Sequence, residues 1–200
     1  MSNFVTRFRS FYYCDWGGEA VKKSKKLINT LITSKTRIKL LLKFFLNPDN
    51  SAYLRGLSKE FGESTNSVRL ELNRLEDANM INSEVDGNKK LFKVNKFHPF
   101  YEDVNQIVRK YLGIDVIVNN IIKGLGTPQF MYLTGDLAKG KESNLIDLIL
   151  VGDINQAYLI DVVAKTEKLI ARKIRYLIYS EDEFQNNDID KENLLLIWAN

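Results

Sequence analysis

The sequence predicts an α/β chain of the α+β type in two parts: a helical N-terminal half closed by a β-hairpin, then a smaller unit of mixed strands and helices. Three observations lead there. Apolar residues recur at helical spacing from Thr36 to Leu75, then give way to two short runs flanking Asp86-Gly87-Asn88. Beyond Gly113, short strand-like runs alternate with longer helical ones. The halves also differ in charge: residues 1–96 hold 18 Lys and Arg against 10 Asp and Glu, a formal +8, while residues 97–200 hold 11 against 15, a formal −4. A basic half joined to an acidic one suggests that the first half meets a polyanion; the alternative is an ordinary solvated surface.

With 200 residues, 44% hydrophobic and 27% charged, the chain is long enough to bury one large core or two small ones. Its longest apolar stretch, Ile38 to Leu46, is interrupted by Lys39 and Lys43 and falls far short of the ~20 residues of a membrane span. Aromatic and polar residues follow Arg7 and Arg9, where a secretory signal would have an apolar run and a small-residue cleavage site. A lone cysteine, Cys14, makes no internal disulfide. These features fit a reducing, cytoplasmic setting.

Residues 1–33 read as a helical extension. Phe4, Phe8, Phe11, Tyr12 and Trp16 lie at roughly helical spacing, Gly17-Gly18 breaks the run, and Leu27, Ile28, Leu31 and Ile32 resume it, giving one or two helices. This is more apolar surface than one small neighbouring unit needs, so a homodimer that covers it is expected. Ser34 precedes a helix from Thr36 to Leu46, which Asn47-Pro48-Asp49 ends because proline cannot continue it. Tyr53 to Phe61, with Leu54, Leu57 and Phe61 on one face, forms a short second helix stopped by Gly62 at a left-handed cap. Ser64 or Thr65 then caps a third helix that buries Val68, Leu72 and Leu75 and ends at Asn79. Met80 to Val85 and Lys89 to Val94 flank a tight turn and form a hairpin.

Residues 34–96 therefore read as a helix-turn-helix followed by a wing. In such a unit the second helix of the motif offers its first turns to base edges in the major groove, and double-stranded DNA is the expected partner. Thr65, Asn66, Ser67, Arg69 and Asn73 lie off the buried stripe and are assigned to DNA contact. Lys89 and Lys90, just past the hairpin turn, are assigned to backbone phosphates. Leu70, on the exposed side, either meets a thymine methyl or packs elsewhere in the protein.

The stretch from Leu54-Arg55-Gly56-Leu57-Ser58-Lys59-Glu60-Phe61 through Ser67-Val68-Arg69-Leu70-Glu71-Leu72-Asn73-Arg74-Leu75-Glu76 resembles the ArsR-like winged-helix regulators over residues 34–96. The resemblance implies operator binding as a dimer. Metal sensors of that family use clustered cysteines or histidines. Here Cys14 and His98 are the only candidates, so no metal and no cofactor is expected. His98 reads as a local cap or a packing residue before Pro99, and Cys14 as a buried residue among aromatics.

Residues 97–112 form a linker helix with Val104, Ile107, Val108 and Leu112 inward, ending at Gly113. Residues 113–200 follow as a second domain: helix 116–123, strands 130–133 and 146–151, helix 156–172, strand 174–179, and an edge strand near 194–198. Within it, Leu133-Thr134-Gly135-Asp136-Leu137-Ala138-Lys139-Gly140 and Ser143-Asn144-Leu145-Ile146-Asp147-Leu148-Ile149-Leu150-Val151 resemble the minimal nucleotidyltransferase signature. In that family one strand ends in Gly-Ser and the next carries two carboxylates two residues apart, where strand alternation points both at two magnesium ions. This chain keeps Gly135 and Asp147, but Asp136 replaces the serine and Leu145 replaces the first carboxylate. The resemblance thus implies an inherited fold with a broken metal site. Lys139, Lys141 and backbone N–H groups of the loop remain candidates for holding a nucleotide or another anion; the alternative is a docking surface. The leading reading is a DNA-binding regulator with a catalytically inactive domain. The alternatives are an active nucleotidyltransferase, completed by Asp136 or by another subunit, and a scaffold with neither activity.

Overall fold

Ser34 opens the first helix that the core holds firmly: its hydroxyl accepts a hydrogen bond from the Arg37 N–H at 3.2 Å, satisfying one of the donors that every helix start leaves unpaired. The computed structural model describes residues 17–200; Phe4, Phe8, Phe11, Tyr12, Trp16 and Cys14 lie outside them. Ahead of Ser34, α1 (Gly17–Leu31) packs on two helices that follow residue 97, one within 101–112 and one within 156–170, leaving Leu27 and Leu31 exposed. After Ser34, α2 (Lys35–Leu41) runs into one wider turn of π-helix, Leu42–Leu46. The uniform helix expected up to Leu46 is therefore corrected. All five residues of the π-turn are buried, Lys43 among them. Two of its main-chain carbonyls are capped by side chains: Asn50 Nδ2 donates to Lys43 O at 2.9 Å and Asn105 Nδ2 to Phe45 O at 2.6 Å. A π-turn interrupts the usual ladder, so such external partners matter.

The helix-turn-helix then follows as α3 (Leu54–Phe61) and α4 (Thr65–Asp77). Gly62 sits at φ +64°, the left-handed cap that lets α3 stop and the chain reverse. Ser64, rather than Thr65, caps α4, accepting from Ser67 N–H at 3.1 Å. Tyr53 was expected to begin the helix but belongs to a three-residue strand, β1 (Ser51–Tyr53), which pairs antiparallel with β3 (Lys89–Val94). Together with β2 (Ile81–Asp86) these form a three-stranded sheet in the order β1-β3-β2. This is a winged helix.

Residues 97–112, expected as a linker, hold α5 (Tyr101–Leu112), which buries Tyr101, Val108, Tyr111 and Leu112. Gly113, at φ +81°, ends α5 and starts α6 (Ile114–Ile122), so the two helices meet at one residue. Beyond them, β4 (Gly126–Thr134), α7 (Gly135–Ala138), β5 (Leu145–Ile154), α8 (Gln156–Ile170), β6 (Lys173–Tyr179), α9 (Glu181–Asn186) and β7 (Leu195–Ala199) build a second sheet in the order β6-β5-β4-β7. β5 is antiparallel to β4 and parallel to β6, the α8 crossover allowing the latter. β7 closes the other edge, where the tail strand was expected, while α9 was missed. One continuous apolar cluster runs from Leu40 and Phe44 through Leu72 and Leu112 to Leu148 and Ile197, so both halves share a core. Among the described residues, no helix is long and apolar enough to cross a membrane.

Candidate functional site

Two regions bring the candidate residues together. In the winged helix, Val68, Leu72 and Leu75 turn one face of α4 into the core. The 3.6-residue period therefore leaves Thr65, Asn66, Arg69 and Asn73 on the exposed face, with Leu70 at 51% exposure among them. Ser67 is the exception. Its hydroxyl lies 3.3 Å from that of Thr36 on α2, so it ties α4 to the core side instead of facing solvent. Ser58, buried on α3, sits 3.5 Å from the Thr65 hydroxyl and donates to Leu54 O, joining the two helices of the motif at their turn.

The setting of α4 depends on a carboxylate that sequence patterning did not single out. Glu71, buried beside Leu72, accepts from Arg37 Nε at 2.7 Å and from Arg74 Nη1 at 2.8 Å. Burial pushes its carboxyl up, but hydrogen bonds from Arg37 and Ser34 and the two guanidinium charges outweigh this and hold it below the ordinary carboxylate range. A carboxyl whose folded pKa is depressed stabilises the fold above its unfolded value, about 4.3, and loses that contribution as pH falls through the folded value. Urea midpoints of the wild type should accordingly fall as pH drops below about 5, and Glu71→Gln should flatten that decline; parallel curves would show that Glu71 takes no part in it.

At the wing, Lys89 and Lys90 are exposed but not idle. Lys89 Nζ lies 5.6 Å from the centre of the Tyr53 ring, and Lys90 Nζ is 3.6 Å from Glu76 on α4. Tyr53 in turn donates its hydroxyl to the Asp86 carboxylate, which joins the hairpin to β1 and raises the phenol's pKa. Solvent-exposed pairs of this kind contribute little, so exchanging Glu76 for a phosphate costs Lys90 little.

The second region lies at the open face of the larger sheet. Register places Thr134, Asp147 and Arg175 side by side on β4, β5 and β6, with Tyr132, Ile149 and Leu177 in the next row. Gly135 sits directly over Asp147: a Cβ there would come within 2.5 Å of the carboxylate, and its φ is +69°. The sequence signature therefore does converge in space, around a cleft of about 380 Å³. What sequence reading missed is Arg175. Its Nε donates to Asp147 Oδ1 at 2.5 Å, so a guanidinium pairs with one oxygen of the carboxylate. Leu145 offers no oxygen, and Asp136 is exposed, 4.0 Å from Lys141 Nζ. Among the described residues, no three His, Cys, Asp or Glu side chains come together as a metal would require.

Lys139 has an exposed side chain, but its main chain and the rest of its loop are turned toward the winged helix. Asn47 Nδ2 donates to Ala138 O at 3.0 Å, and Lys43 Nζ donates to Lys139 O at 2.9 Å. Of the anion-binding candidates, three N–H groups of this loop are already engaged: those of Lys139, Gly140 and Lys141 donate to Gly135 O, Leu137 O and Asp136 O.

No protein-family profile and no curated protein matches the chain. Among solved structures, reduced HlyU from Vibrio cholerae N16961 is similar at 13% identity over 44% of this chain and 90% of that one, with a TM-score of 0.33. MepR, a transcription regulator of the Staphylococcus aureus multidrug efflux pump MepA, is similar at 14% identity over 54% of this chain and 77% of that one, with a TM-score of 0.37.

Proposed function

We propose that this protein is a DNA-binding transcriptional regulator of ArsR-like type, reading DNA with α4 and the β2–β3 wing, and that its C-terminal domain is a nucleotidyltransferase-like fold without transfer chemistry. One observation carries the DNA reading. The exposed face of α4 carries Thr65, Asn66, Arg69 and Asn73, and the wing adds the exposed Lys89 and Lys90, which is the donor and cation set that base edges and phosphates need. The C-terminal reading rests on the neighbouring positions of Gly135 and Asp147, combined with an arginine and a leucine where metal ligands would stand. Its cleft then serves ligand sensing, of a nucleotide or another anion, or docking.

Anisotropy titrations of a duplex selected from a random pool, repeated across salt concentrations, test the DNA reading. Arg69→Ala should weaken the selected duplex about 10- to 100-fold and relax base preference at one position. Lys89→Ala with Lys90→Ala should weaken all duplexes and reduce the slope of log K against log salt by about two. Equal affinities for the wild type and the triple variant would sink the assignment.

A homodimer, which would place two α4 helices across an operator's two half-sites, is part of the same proposal. Leu27 at 58% and Leu31 at 72% exposure on α1 are the described residues that favour it. Sedimentation at micromolar concentration should give twice the chain mass of 23.1 kDa; a monomer that binds DNA tightly would count against the dimer.

A further inference from the structure

The six residues Gly135 to Gly140 touch both candidate regions. At one end Gly135 lies on the Asp147 carboxylate in the cleft. At the other, Gly140 is pressed against the π-turn after α2: a Cβ there would stand 2.5 Å from Lys43 Cα and 2.8 Å from Lys43 O. Both glycines have positive φ, +69° and +71°, so each end is fixed by a conformation and a close approach that side-chain-bearing residues do not tolerate. Between them Leu137 and Ala138 are buried, so the segment is anchored along its length.

Lys43 joins this segment to the helix-turn-helix. Its ammonium, on a residue only 8% exposed, donates to Lys139 O at 2.9 Å and to Glu60 Oε2 and Oε1 at 3.1 and 3.2 Å. Glu60 belongs to α3, which packs directly against the reading helix α4. The Lys43 ammonium, paired with Glu60, is a poor way to gain stability, since apolar residues in place of both partners commonly fill such a space equally well, although removing one alone strands the other's charge. Its three contacts do something an apolar residue cannot: they fix one point of the C-terminal loop relative to one point of α3.

We propose that Lys43 is a positioning residue for the DNA-reading head, and that the Gly135–Gly140 segment, through Lys43 and Glu60, links what happens at the Asp147–Arg175 cleft to the placement of α3 and α4. This rests on the proposed DNA reading, and it names the regulation of that site: the C-terminal domain acts on DNA binding by a contact within one chain. The link is carried by a segment clamped at both ends, so a shift at Gly135 is not absorbed in a free loop.

The test is a double-mutant cycle on the full chain, reading affinity for the selected duplex by anisotropy. Lys43→Met together with Glu60→Gln, which strands no charge, should keep the thermal midpoint near that of the wild type yet weaken DNA binding at least tenfold, and Lys43→Arg alone should retain most of it. A merely structural lysine would give the reverse, a lowered midpoint with unchanged affinity well below it. At the cleft, Gly135→Ala drives a methyl into Asp147, while Arg175→Gln removes Asp147's partner through a side chain that is 69% exposed and so endangers folding little. Each should weaken DNA binding several-fold in the wild-type background and have no further effect in the Lys43→Met/Glu60→Gln background. Additive effects would overturn the link. Hydrogen exchange gives a readout that does not depend on DNA: in Arg175→Gln, amides of Leu42–Leu46 and α3 should lose protection, and losses confined to β4–β6 would overturn the proposal. If the wild type binds no duplex, the DNA reading fails by itself, and the exchange result still decides whether the link exists.

Discussion

Phe44→Ala is expected to cost about 3–5 kcal/mol of folding stability, as large-to-small changes at buried aromatic sites do. Phe44 is fully buried in the π-turn, and it belongs to the apolar cluster that also holds Leu72 of α4 and Leu148 of the larger sheet. Because that cluster is continuous, the loss should appear as a single shifted transition and not as the early melting of one half. Far-UV and near-UV circular dichroism, followed through a urea titration, should move together. Two transitions, with only the first shifted, would show that the halves fold apart and that the contacts of Lys43, Asn47 and Gly140 add little.

The second large effect is the complete loss of transfer chemistry that a two-metal site would provide. Nucleotidyl transfer needs cations to neutralise the triphosphate and to activate the attacking hydroxyl, and those cations need converging carboxylates. Asp147 is the carboxylate of β5 that stands at the cleft, Asp153 lying at the other end of the strand. Leu145 shares that face with it, and Arg175 is bonded to it at 2.5 Å. An ammonium or guanidinium contributes charge, but it does not lower the pKa of a bound hydroxyl as a metal does. Incubation with each labelled nucleoside triphosphate, with magnesium or manganese, should give no label on protein, nucleic acid or small acceptors above a heat-killed control. Incorporation that disappears in Asp147→Asn would restore the reading of an active enzyme.

How much of this was legible differs from element to element. The Gly62 stop, the Val68, Leu72 and Leu75 stripe, the Asp86-Gly87-Asn88 turn and the tail strand could all be read locally, because each depends on spacing or on a conformational preference within a few residues. β1 could not. Three residues are too few to show alternation, and Ser51–Tyr53 is a strand only because β3 lies beside it. The π-turn was invisible for a related reason: its apolar residues fit an ordinary helix equally well, and its carbonyls find Asn50 and Asn105 only after folding. At the candidate sites, Thr65, Asn66, Arg69 and Asn73 could be placed from periodicity, whereas Ser67, three residues after its cap, was drawn inward by Thr36 from another helix.

The sequence by itself determined the order of the longer helices and strands, though not β1, α7 or α9, together with the basic character of the first half and the absence of a carboxylate at residue 145, since composition and local periodicity do not depend on distant partners. Only the tertiary structure decided what the remaining polar groups face. Glu71 was one more charge in a helix until Arg37 and Arg74 closed on it, and Arg175 was one basic residue of a strand until parallel pairing set it beside Asp147. Lys43 looked like an interruption in an apolar run, and Gly140 like a turn. Their contact joins residues 96 positions apart, between Lys43 Nζ and Lys139 O. Such a contact follows from how the two halves pack around their shared core, which no local pattern records, and it ties the π-turn after α2 to the loop that follows β4.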